Sequence, residues 1–526
     1  IGRSQAAASR ECRRQGNRNW KPSNPVIHLP MVNRALFILF LANFGLQAEE
    51  YYDRFEILTA SSPSAPRSKE WQPGEGLALE ISGMAWTADG RLAVTIRKGE
   101  VWLIDGADSD SVDGISYKRF ASGLHEPLGL LQDGDGFLVA QRTEVTRLRD
   151  TDGDDVADEY LTVASGWNVS GAYHGYTYGP ERDGQGRLWV TTNIDLGDLA
   201  DNDAAWRGWG LTINADGSVT GQAAGMRSPS GLGANREGDL FYSDQQGTWM
   251  PATPIHHLRP GVFYGNTSGL ASQNLPGSRL HLSAEVPEGN LYPDALAQLP
   301  ELSPPAVWLP YNKVGRSATD IQVIDQDGRF GPFDGQLLVG EFTNVEVNRV
   351  FLEKVEGEYQ GACFRFLDKF PSAVFRLSFG PDGSLYVGMT NRGWSSLGNR
   401  AYGLVRVRWN GETPFEIKEM RAKPDGFELE FTQVVDFEKA SDARSYRMNN
   451  YTYLYSRAYG SDELDKNENL ITEAIVSDDR MSVYLKVEGL KPLYVHEVHA
   501  EGVANLNGES LLHASAYYTL NRIPTK

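Results

Sequence analysis

Residues 171–193 read GAYHGYTYGPERDGQGRLWVTTN, in which a histidine between glycines and aromatic residues precedes a glycine-rich turn and a strand-like run. The run at 187–192 is rich in apolar and β-branched residues, as buried strands are. A glycine at the tip of the preceding turn supplies the positive φ that a tight hairpin needs. The stretch therefore predicts a hairpin, with His174 just before its first strand.

The same pattern occurs six times along the chain. Each copy has apolar residues, a glycine-containing turn and then a strand, and the turn glycines are Gly90, Gly136, Gly186, Gly238, Gly335 and Gly383. The steps between them are 46, 50, 52, 97 and 48 residues. A repeat of about 50 residues with several short strands is the size of one β-propeller blade. We predict an all-β chain with a six-bladed β-propeller; the long step allows a seventh blade or an insertion at 253–316, and the insertion is favoured.

From about Glu412 the strands change character. Runs such as GFELEFTQVVDF, NYTYLYSRAYG and RMSVYLKVEGL alternate apolar and polar residues at irregular spacing, without the blade pattern. Such runs are typical of a small antiparallel sandwich. We predict the β-propeller at 49–411 and a small Ig-like β-sandwich at 412–526, with a structural or substrate-positioning role.

The first 48 residues are expected to lie outside the fold. MVNRALFILFLANFGLQA, from Met31, has a short basic region, an apolar run and a final small residue. This pattern predicts a secretory signal peptide at 31–48, and its apolar run is too short for a stable membrane span. A buried N-terminal strand is the alternative. We interpret residues 1–30 as a non-native upstream segment and expect an exported protein, periplasmic or extracellular, with no transmembrane anchor in the mature chain.

Charge and cysteine content exclude some partners. The chain has 69 acidic and 50 basic residues, a net charge of −19, and residues 1–48 contain seven of the basic ones. Such an acidic surface repels phosphate backbones, so nucleic acid is not an expected partner. The sequence has no CxxCH motif, which excludes a covalently attached c-type haem. An oxidoreductase of this sequence therefore needs a separate electron acceptor.

The loops that lead into the inner strands of a propeller meet at one mouth of its central channel, where ligands bind. A histidine and several arginines that meet there suit an anionic cofactor, or a polarised carbonyl or hydroxyl group. A purely structural role for the histidine is the alternative. In blade order, the segments before the predicted inner strands contain Ser82, His125 with Glu126, Tyr173 with His174, Arg227, Arg316 with Ser317, and Arg376.

Two segments carry a resemblance to a known family. YHGYTYGPERDGQGRLWVTTN, from Tyr173, and GMRSPSGLGANREGDLFYSDQQG, from Gly225, resemble the soluble quinoprotein glucose/sorbosone dehydrogenase family. The resemblance covers 81–409 and is strongest over 171–247. It implies a six-bladed propeller that oxidises a sugar or sugar aldehyde with pyrroloquinoline quinone and Ca²⁺.

The resemblance also implies roles for individual residues. His174 corresponds to the family's general base, and Arg227 in RSPSGL corresponds to an arginine at the cofactor. In GLHEPLGLL, His125 or Glu126 occupies the place of an amide side chain that touches the quinone. Among the remaining arginines, the resemblance implies that Arg349 and Arg376 bind the quinone carboxylates. The acidic cluster that holds Ca²⁺ in the family does not follow Asp244 in FYSDQQG.

A second constellation lies at RDTDGDDVADE, from Arg149. Ca²⁺ takes six to eight oxygen ligands, and a D-x-D-x-D loop can curl its carboxylates around one ion. The sequence therefore predicts a structural Ca²⁺ site, and a solvated acidic hairpin tip is the alternative. The predicted ligands are Asp150, Asp152, Asp154 and Asp158.

Three functions follow from these patterns. The first is an exported sugar dehydrogenase that transfers hydride to a quinone, with His174 as the base and Arg227 as electrostatic stabiliser. The second is a propeller without catalysis that binds a glycan or a protein at the same mouth. The third is a metal-dependent lactonase or lyase, for which Glu126, Asn193 and Asp244 are the nearest candidates. The sugar dehydrogenase is preferred.

Overall fold

Short runs of β-branched, aromatic and aliphatic residues, separated by glycine-containing turns, form almost all of the regular structure. The computed structural model describes residues 50–59, 78–169, 171, 173–196 and 204–525. The predicted upstream segment at 1–30 and the predicted signal peptide at 31–48 lie outside these residues.

Six groups of four antiparallel strands, named blades 1 to 6, follow one another along the described part of the chain. Blade 1 is Ile81–Trp86, Leu92–Ile96, Glu100–Asp105 and Ser116–Ala121; blade 2 is Leu130–Asp133, Gly136–Ala140, Glu144–Arg149 and Glu159–Ser165; blade 3 is Thr177–Arg182, Leu188–Thr192, Trp209–Ile213 and Val219–Ala224. Blade 4 is Gly231–Ala234, Leu240–Ser243, Thr253–His257 and Val307–Leu309; blade 5 is Ala318–Val323, Leu337–Glu341, Glu346–Val355 and Glu358–Leu367; blade 6 is Val374–Phe379, Leu385–Thr390, Tyr402–Trp409 and the N-terminal strand Tyr52–Thr59.

The blades form a closed ring. The first strand of each blade contacts the first strand of the next, and that of blade 6 contacts that of blade 1. Blade 6 takes its outer strand from the other end of the fold, because Tyr52–Thr59 pairs with Tyr402–Trp409. This arrangement is a six-bladed β-propeller, and it confirms the predicted fold.

The 97-residue step between the turn glycines of blades 4 and 5, Gly238 and Gly335, contains an insertion. The third and fourth strands of blade 4, Thr253–His257 and Val307–Leu309, pair directly with each other. The residues between them, all of them described, contain the 3₁₀ helix Leu270–Asn274 and the α-helix Tyr292–Gln298. The insertion therefore lies inside blade 4, and it is shorter than the predicted 253–316.

The turn glycines behave as predicted with one exception. Gly186 and Gly238, for example, have φ of 76° and 81° at their hairpin tips. The prediction for Gly136 is wrong, because this residue begins the second strand of blade 2. Gly134, with φ of 64°, makes that turn instead. A two-residue turn places the first glycine of the DGDG run at the tip and returns the second to the strand.

The remaining chain forms a β-sandwich, as predicted. One sheet is Ile417–Lys423, Gly426–Phe431, Ser482–Val487 and Ile471–Val476, and the other is Ser515–Leu520, Tyr494–His499, Arg447–Thr452 and Leu464–Asn469. The second sheet continues from the propeller, because Ser515–Leu520 pairs with the outer strand of blade 5. Blade 5 and this half of the sandwich are thus one eight-stranded sheet.

Blade 5 and the sandwich also share a hydrophobic core. Phe351 and Phe364, from the outer strands of blade 5, pack in the same buried cluster as Phe427 and Tyr518 of the sandwich. Burial of several aromatic side chains is worth several kcal/mol, so this contact holds the two parts together. The domain limits 49–411 and 412–526 themselves stay predictions.

A few short elements complete the fold. They are the α-helix Phe437–Ala440, the 3₁₀ helices Val112–Gly114 and Ala443–Ser445, and the paired two-residue strands Asn290–Leu291 and Leu454–Tyr455. Among the described residues, no helix has the length and apolar character that crossing a bilayer requires.

Candidate functional site

The loops before the inner strands of blades 3, 4 and 5 border a cavity of about 540 Å³ at one mouth of the channel. We call it the mouth cavity. A loop of blade 6 and one residue of the sandwich, Tyr459, complete its wall. None of its described lining residues is a carboxylate; the polar ones apart from tyrosine and tryptophan are His174, Arg227, Ser228, Gln245, Gln246, Arg316, Ser317, Thr343, Ser395 and Ser396.

In blade 4, a buried carboxylate holds the loop that carries Arg227. Asp244, at the end of the second strand, accepts hydrogen bonds of 2.7 Å from the backbone N–H groups of Arg227 and Ser228. It also accepts one of 2.7 Å from the N–H of Gln245. Burial nevertheless raises the pKa of Asp244 to about 6, because no counter-charge compensates its desolvation fully. Asp244 thus positions Arg227 and does not face the cavity.

Blade 5 repeats this device. Glu341, at the end of its second strand, accepts a hydrogen bond of 3.0 Å from the N–H of Arg316 and another from the N–H of Ser317. Its second oxygen accepts from the N–H of Asn344. Burial raises the pKa of Glu341 to about 7. Two successive blades therefore present an Arg-Ser pair to the cavity, each fixed by a buried carboxylate.

The Arg227 side chain lies directly against the backbone at Gly247. A Cβ added at Gly247 would stand 2.0 Å from Nε of Arg227, so only glycine leaves room for the guanidinium there. Nε of Arg227 is buried and has no hydrogen-bond partner among the described residues. The close packing against Gly247 covers this nitrogen with protein, so contact with a ligand is left to the rest of the guanidinium.

His174 lies in the loop before the inner strand of blade 3 and is half-buried. The centroid of its ring is 5.2 Å from that of Tyr173 and 6.3 Å from that of Tyr176, both in edge-on contacts. These two aromatic rings fix one side of the imidazole, and its other side faces the cavity.

The surroundings of His174 favour its neutral form. Burial lowers the pKa of His174 below the usual 6.5, and the positive charges of Arg227, Arg142 and Arg97 lower it further. At neutral pH the imidazole therefore carries no charge and can accept a proton.

A network of charged side chains contacts the tyrosines on either side of His174. Glu126 forms ion pairs with Arg97 at 3.4 Å and with Arg142 at 3.3 Å. Arg97 donates hydrogen bonds of 2.6 Å and 3.2 Å to the hydroxyls of Tyr176 and Tyr173. Glu126 does not line the mouth cavity, and it holds the arginines that surround His174.

His125 and Arg376 also lie outside the mouth cavity. His125 is exposed, and its backbone N–H donates to the side-chain oxygen of Gln141. Arg376 is buried in the channel, where its guanidinium donates to the carbonyls of Ser82 at 2.9 Å, Leu128 at 2.8 Å and Ser230 at 3.2 Å. These carbonyls belong to blades 1, 2 and 4, so one side chain ties three blades together across the channel.

Arg349 lies far from the channel mouth, at the junction of blade 5 and the sandwich. It is fully buried over the ring of Phe333, with its Cζ 3.9 Å from the ring centroid. Its nitrogens donate to Oε1 of Gln336 at 2.7 Å and to the carbonyl of Ile417 at 3.0 Å. The structure therefore does not bring Arg349 to the site, and its role there is to join two domains.

A second cavity, which we call the inner channel, lies among the inner strands of all six blades and has a volume of about 100 Å³. Unlike the mouth cavity it contains two carboxylates, those of Glu181 and Asp320. Burial raises the pKa of Glu181 to about 7, and repulsion from Asp320 adds to this shift. Burial also raises the pKa of Asp320.

The acidic hairpin of blade 2 brings three of its four predicted ligands together. Asp150, Asp152 and Asp158 each offer a carboxylate oxygen, and these oxygens lie within 4.8 Å of one another. Asp154 is not in this group, and its Oδ1 accepts a hydrogen bond of 2.9 Å from the N–H of Val156. The Ca²⁺ site stays a prediction.

Sequence reasoning missed several residues that line the mouth cavity or hold its loops. Glu341 could have been found, because FYSD and LLVGE place an acidic residue at the same point of two repeats. Trp394 and Tyr459 had no such signal. The first lies in a loop without blade pattern, and the second lies in the sandwich, about 230 residues after Arg227.

Comparison with known proteins gives a family and structural neighbours. A family model described as Domain of unknown function (DUF7133) matches residues 83–392, which is more than half of the chain. The comparison with curated proteins gave no match.

Solved structures with a similar chain path include sugar dehydrogenases. An oxidoreductase (glucose dehydrogenase) of Thermus thermophilus is 18% identical, with a TM-score of 0.47 over 68% of this chain and 99% of its own. The PQQ-bound aldose sugar dehydrogenase of Streptomyces coelicolor is 15% identical, with a TM-score of 0.43 over 68% and 98%. The soluble aldose sugar dehydrogenase of Escherichia coli in its apo-form is 14% identical, with a TM-score of 0.44 over 68% and 100%.

Proposed function

We propose that this chain, which belongs to the family described as Domain of unknown function (DUF7133), oxidises a sugar or sugar aldehyde at its mouth cavity. The hydride acceptor in this proposal is a bound quinone of the pyrroloquinoline quinone type. One observation carries the proposal. The mouth cavity gathers a neutral histidine and two arginines, and its described lining contains no carboxylate.

The residues of the mouth cavity fit such a quinone. Pyrroloquinoline quinone is planar and bears carboxylates, so it needs cationic and amide donors together with flat apolar surfaces. Arg227 and Arg316 supply guanidinium groups, and Gln245 and Gln246 supply amides. Arg227 lines the cavity and its backbone is held in place by Asp244. Trp394, at the rim, offers an aromatic face.

The same cavity does not fit Ca²⁺. The ion takes six to eight hard oxygen ligands, usually with several carboxylates among them. No described lining residue is a carboxylate, and the nearby Asp244 uses its oxygens on three backbone N–H groups. We therefore propose no catalytic step through Ca²⁺ at the mouth.

The mechanism assigns different tasks to His174 and Arg227. His174 accepts, at its ring nitrogen, the proton of the substrate hydroxyl that is oxidised, because burial and three arginines keep the imidazole neutral. Arg227, held by Asp244, stabilises negative charge that develops on oxygen in the cavity. When bound, the quinone supplies the two-electron acceptor for the hydride. A separate carrier would be needed to take up the electrons.

Reconstitution tests this function. Purified protein is mixed with pyrroloquinoline quinone, with and without Ca²⁺, and examined by absorbance and by aldose-dependent dye reduction. His174→Gln is expected to lower kcat by about 10²–10⁴-fold, as the loss of a general base does. His281→Gln, an exposed histidine outside the cavity, is the matched control. Unchanged activity of His174→Gln would remove this residue from the mechanism.

A propeller that binds a glycan without redox chemistry is the second candidate. It is favoured by the aromatic side chains exposed at the rim of the mouth cavity, among them Trp394 at 40% and Tyr311 at 36%. Saccharide binding without quinone binding would support it. The lactonase or lyase has less support, because Glu126, Asn193 and Asp244 do not line the mouth cavity.

A further inference from the structure

We propose that Tyr459 of the C-terminal sandwich is a ligand-contacting residue of the mouth cavity, where its ring stacks against the sugar. The inference deepens the proposed function and rests on it in one respect, namely that the ligand is a sugar. It gives the sandwich a part in choosing the substrate.

The loop that carries Tyr459 is fastened to the propeller. Residues 456–463, which we call the sandwich loop, follow the strand Leu454–Tyr455, and this strand pairs with Asn290–Leu291 of the blade 4 insertion. The N–H of Gly460 donates to the carbonyl of Gly247 at 3.0 Å, and the N–H of Ser461 donates to that of Pro251 at 2.9 Å. Tyr459 itself forms an isolated bridge with Thr248.

These attachments fix the loop beside the site itself. Gly247 is the residue against which the Arg227 side chain lies, so the sandwich loop bonds to the same short segment that seats Arg227. On its far side the sandwich is joined to blade 5 through the eight-stranded sheet. Two separate attachments to the propeller therefore hold Tyr459 in place at the mouth.

The ring of Tyr459 is exposed although its backbone is fixed. Its exposure is 68%, whereas Arg227, whose Cζ lies 5.4 Å from the centroid of that ring, is only 8% exposed. Arg227 therefore lies at the floor of the cavity and Tyr459 at its rim. A ligand that reaches Arg227 passes the ring, and its outer part meets the free aromatic face.

The other side of the rim also carries apolar side chains. Trp394 and Leu397, from blade 6, are 40% and 72% exposed and line the same cavity. Trp394 is held by a hydrogen bond of 3.2 Å from its Nε1 to Oγ1 of Thr343. Aromatic faces around a cavity floor of arginine, glutamine and serine suit a sugar, which has apolar C–H faces and polar hydroxyl edges.

Substitution of Tyr459 in the full chain tests this inference. After loading with pyrroloquinoline quinone, Tyr459→Ala is expected to raise KM for the oxidised members of a panel of D-glucose, D-xylose and maltose by about three- to tenfold. The kcat and the quinone affinity, followed by absorbance titration, stay near wild type. Tyr459→Phe keeps the ring and stays within about twofold. Phe437→Ala, which removes an exposed ring elsewhere on the sandwich, is the matched control.

A second readout does not depend on redox activity. Tryptophan fluorescence of the quinone-free protein is titrated with maltose, and Tyr459→Ala is expected to weaken binding by a similar factor. If the quinone does not bind but the variant still loses maltose affinity, the dehydrogenase proposal fails and the role of Tyr459 stands. If sugars are oxidised with an unchanged KM in Tyr459→Ala, the role of Tyr459 is overturned and the dehydrogenase stands. A wild-type protein that binds no sugar overturns both.

Discussion

The mouth cavity and the inner channel both belong to the central channel of one propeller, yet the described lining of the mouth cavity has no carboxylate, whereas the inner channel has two beside the guanidinium of Arg376. Loops build the mouth cavity, which is lined by the neutral imidazole of His174 and the guanidinium groups of Arg227 and Arg316. The inner strands build the inner channel, where Glu181 and Asp320 are the carboxylates. Strands must repeat from blade to blade to close the ring, whereas loops are free to vary. This difference indicates that the loops carry the side chains suited to catalysis, and that the strands hold these loops in place.

Among the changes that test this comparison of the two cavities, removal of a positive charge at the mouth has the largest expected effect. Arg227→Ala is expected to lower kcat/KM for aldose oxidation by about 10²–10³-fold, because a buried donor that stabilises developing negative charge is lost. Arg444→Gln, at a 90% exposed side chain, is the control. Steady-state dye reduction measures both variants. Equal activity of Arg227→Ala and wild type would contradict the assignment of catalysis to the mouth cavity.

The carboxylate behind Arg227 gives the next largest effect. Asp244→Asn replaces one acceptor oxygen by an NH₂ group that faces backbone N–H donors, so the free energy of unfolding is expected to fall by about 2–3 kcal/mol. Urea denaturation measures it. Asp113→Asn, at an exposed position, is expected to change it by less than about 0.5 kcal/mol. A stable Asp244→Asn would show that Asp244 does not hold the Arg227 loop.

In the inner channel, replacing a buried carboxylate by its amide is expected to raise the free energy of unfolding rather than lower it. The folded state raises the pKa of Glu181 from 4.5 to about 7, so between these values it keeps a proton that the unfolded chain releases. Stability therefore falls as pH rises through this window, and the full penalty remains above pH 7. Glu181→Gln removes that penalty and is expected to stabilise the protein by about 1–2 kcal/mol at pH 8.

The same variant is expected to have little effect at pH 4.5, where the wild-type carboxyl is protonated in the fold. Urea denaturation at the two pH values checks this difference, and dye reduction at pH 8 is expected to be unchanged. A destabilised Glu181→Gln at pH 8 would mean that the carboxylate has a partner that offsets its burial.

A smaller effect concerns the pH dependence of catalysis. His174 must be neutral to act as base, so activity falls as pH drops through its lowered pKa. Arg142→Gln removes one of the charges that lower this pKa, and the acid limb of the pH–rate profile is expected to move up by about half a pH unit. Arg142→Lys keeps the charge and leaves the limb in place. Identical profiles for both variants would contradict this electrostatic account.

The smallest expected effect lies outside the channel, at the acidic hairpin of blade 2. If the carboxylates of Asp150, Asp152 and Asp158 hold Ca²⁺, a chelator lowers Tm by a few °C, about what the loss of one surface ion contributes. Without the chelator, Asp152→Ala is expected to have the Tm that wild-type protein has with the chelator. Adding the chelator to this variant is expected to change its Tm no further. A wild-type Tm that the chelator leaves unchanged favours the solvated hairpin tip.

The blades could be read from the sequence because each one repeats local chemistry. A glycine such as Gly186 is required where φ is positive, and the strand that follows is buried along its whole length. His174 and Arg227 could be placed at one mouth for the same reason, since equal positions in successive repeats meet around the channel. The sequence alone did not decide which glycine of DGDG makes the turn in blade 2, because Gly134 and Gly136 are equally good turn residues.

Contacts between distant parts of the chain left no such local pattern. Arg349 has the sequence appearance of any strand arginine, and only the fold shows that it is buried against Phe333. Tyr459 reaches the mouth because the sandwich packs on blade 5 and its loop bonds to Gly247. Long-range pairing depends on how whole sheets meet, and no motif of a few residues encodes it.

The continuous sheet of blade 5 and the sandwich bears on aggregation. The outer strand of a blade is an edge whose free N–H and C=O groups can recruit another chain. In blade 5 residues 361–363 of that edge are paired with residues 517–519. A chain cut after Trp409 would uncover this part of the edge of the strand Glu358–Leu367, together with Phe351 and Phe364. The shortened product would be a template for edge-to-edge association, which the sandwich opposes by pairing with this edge.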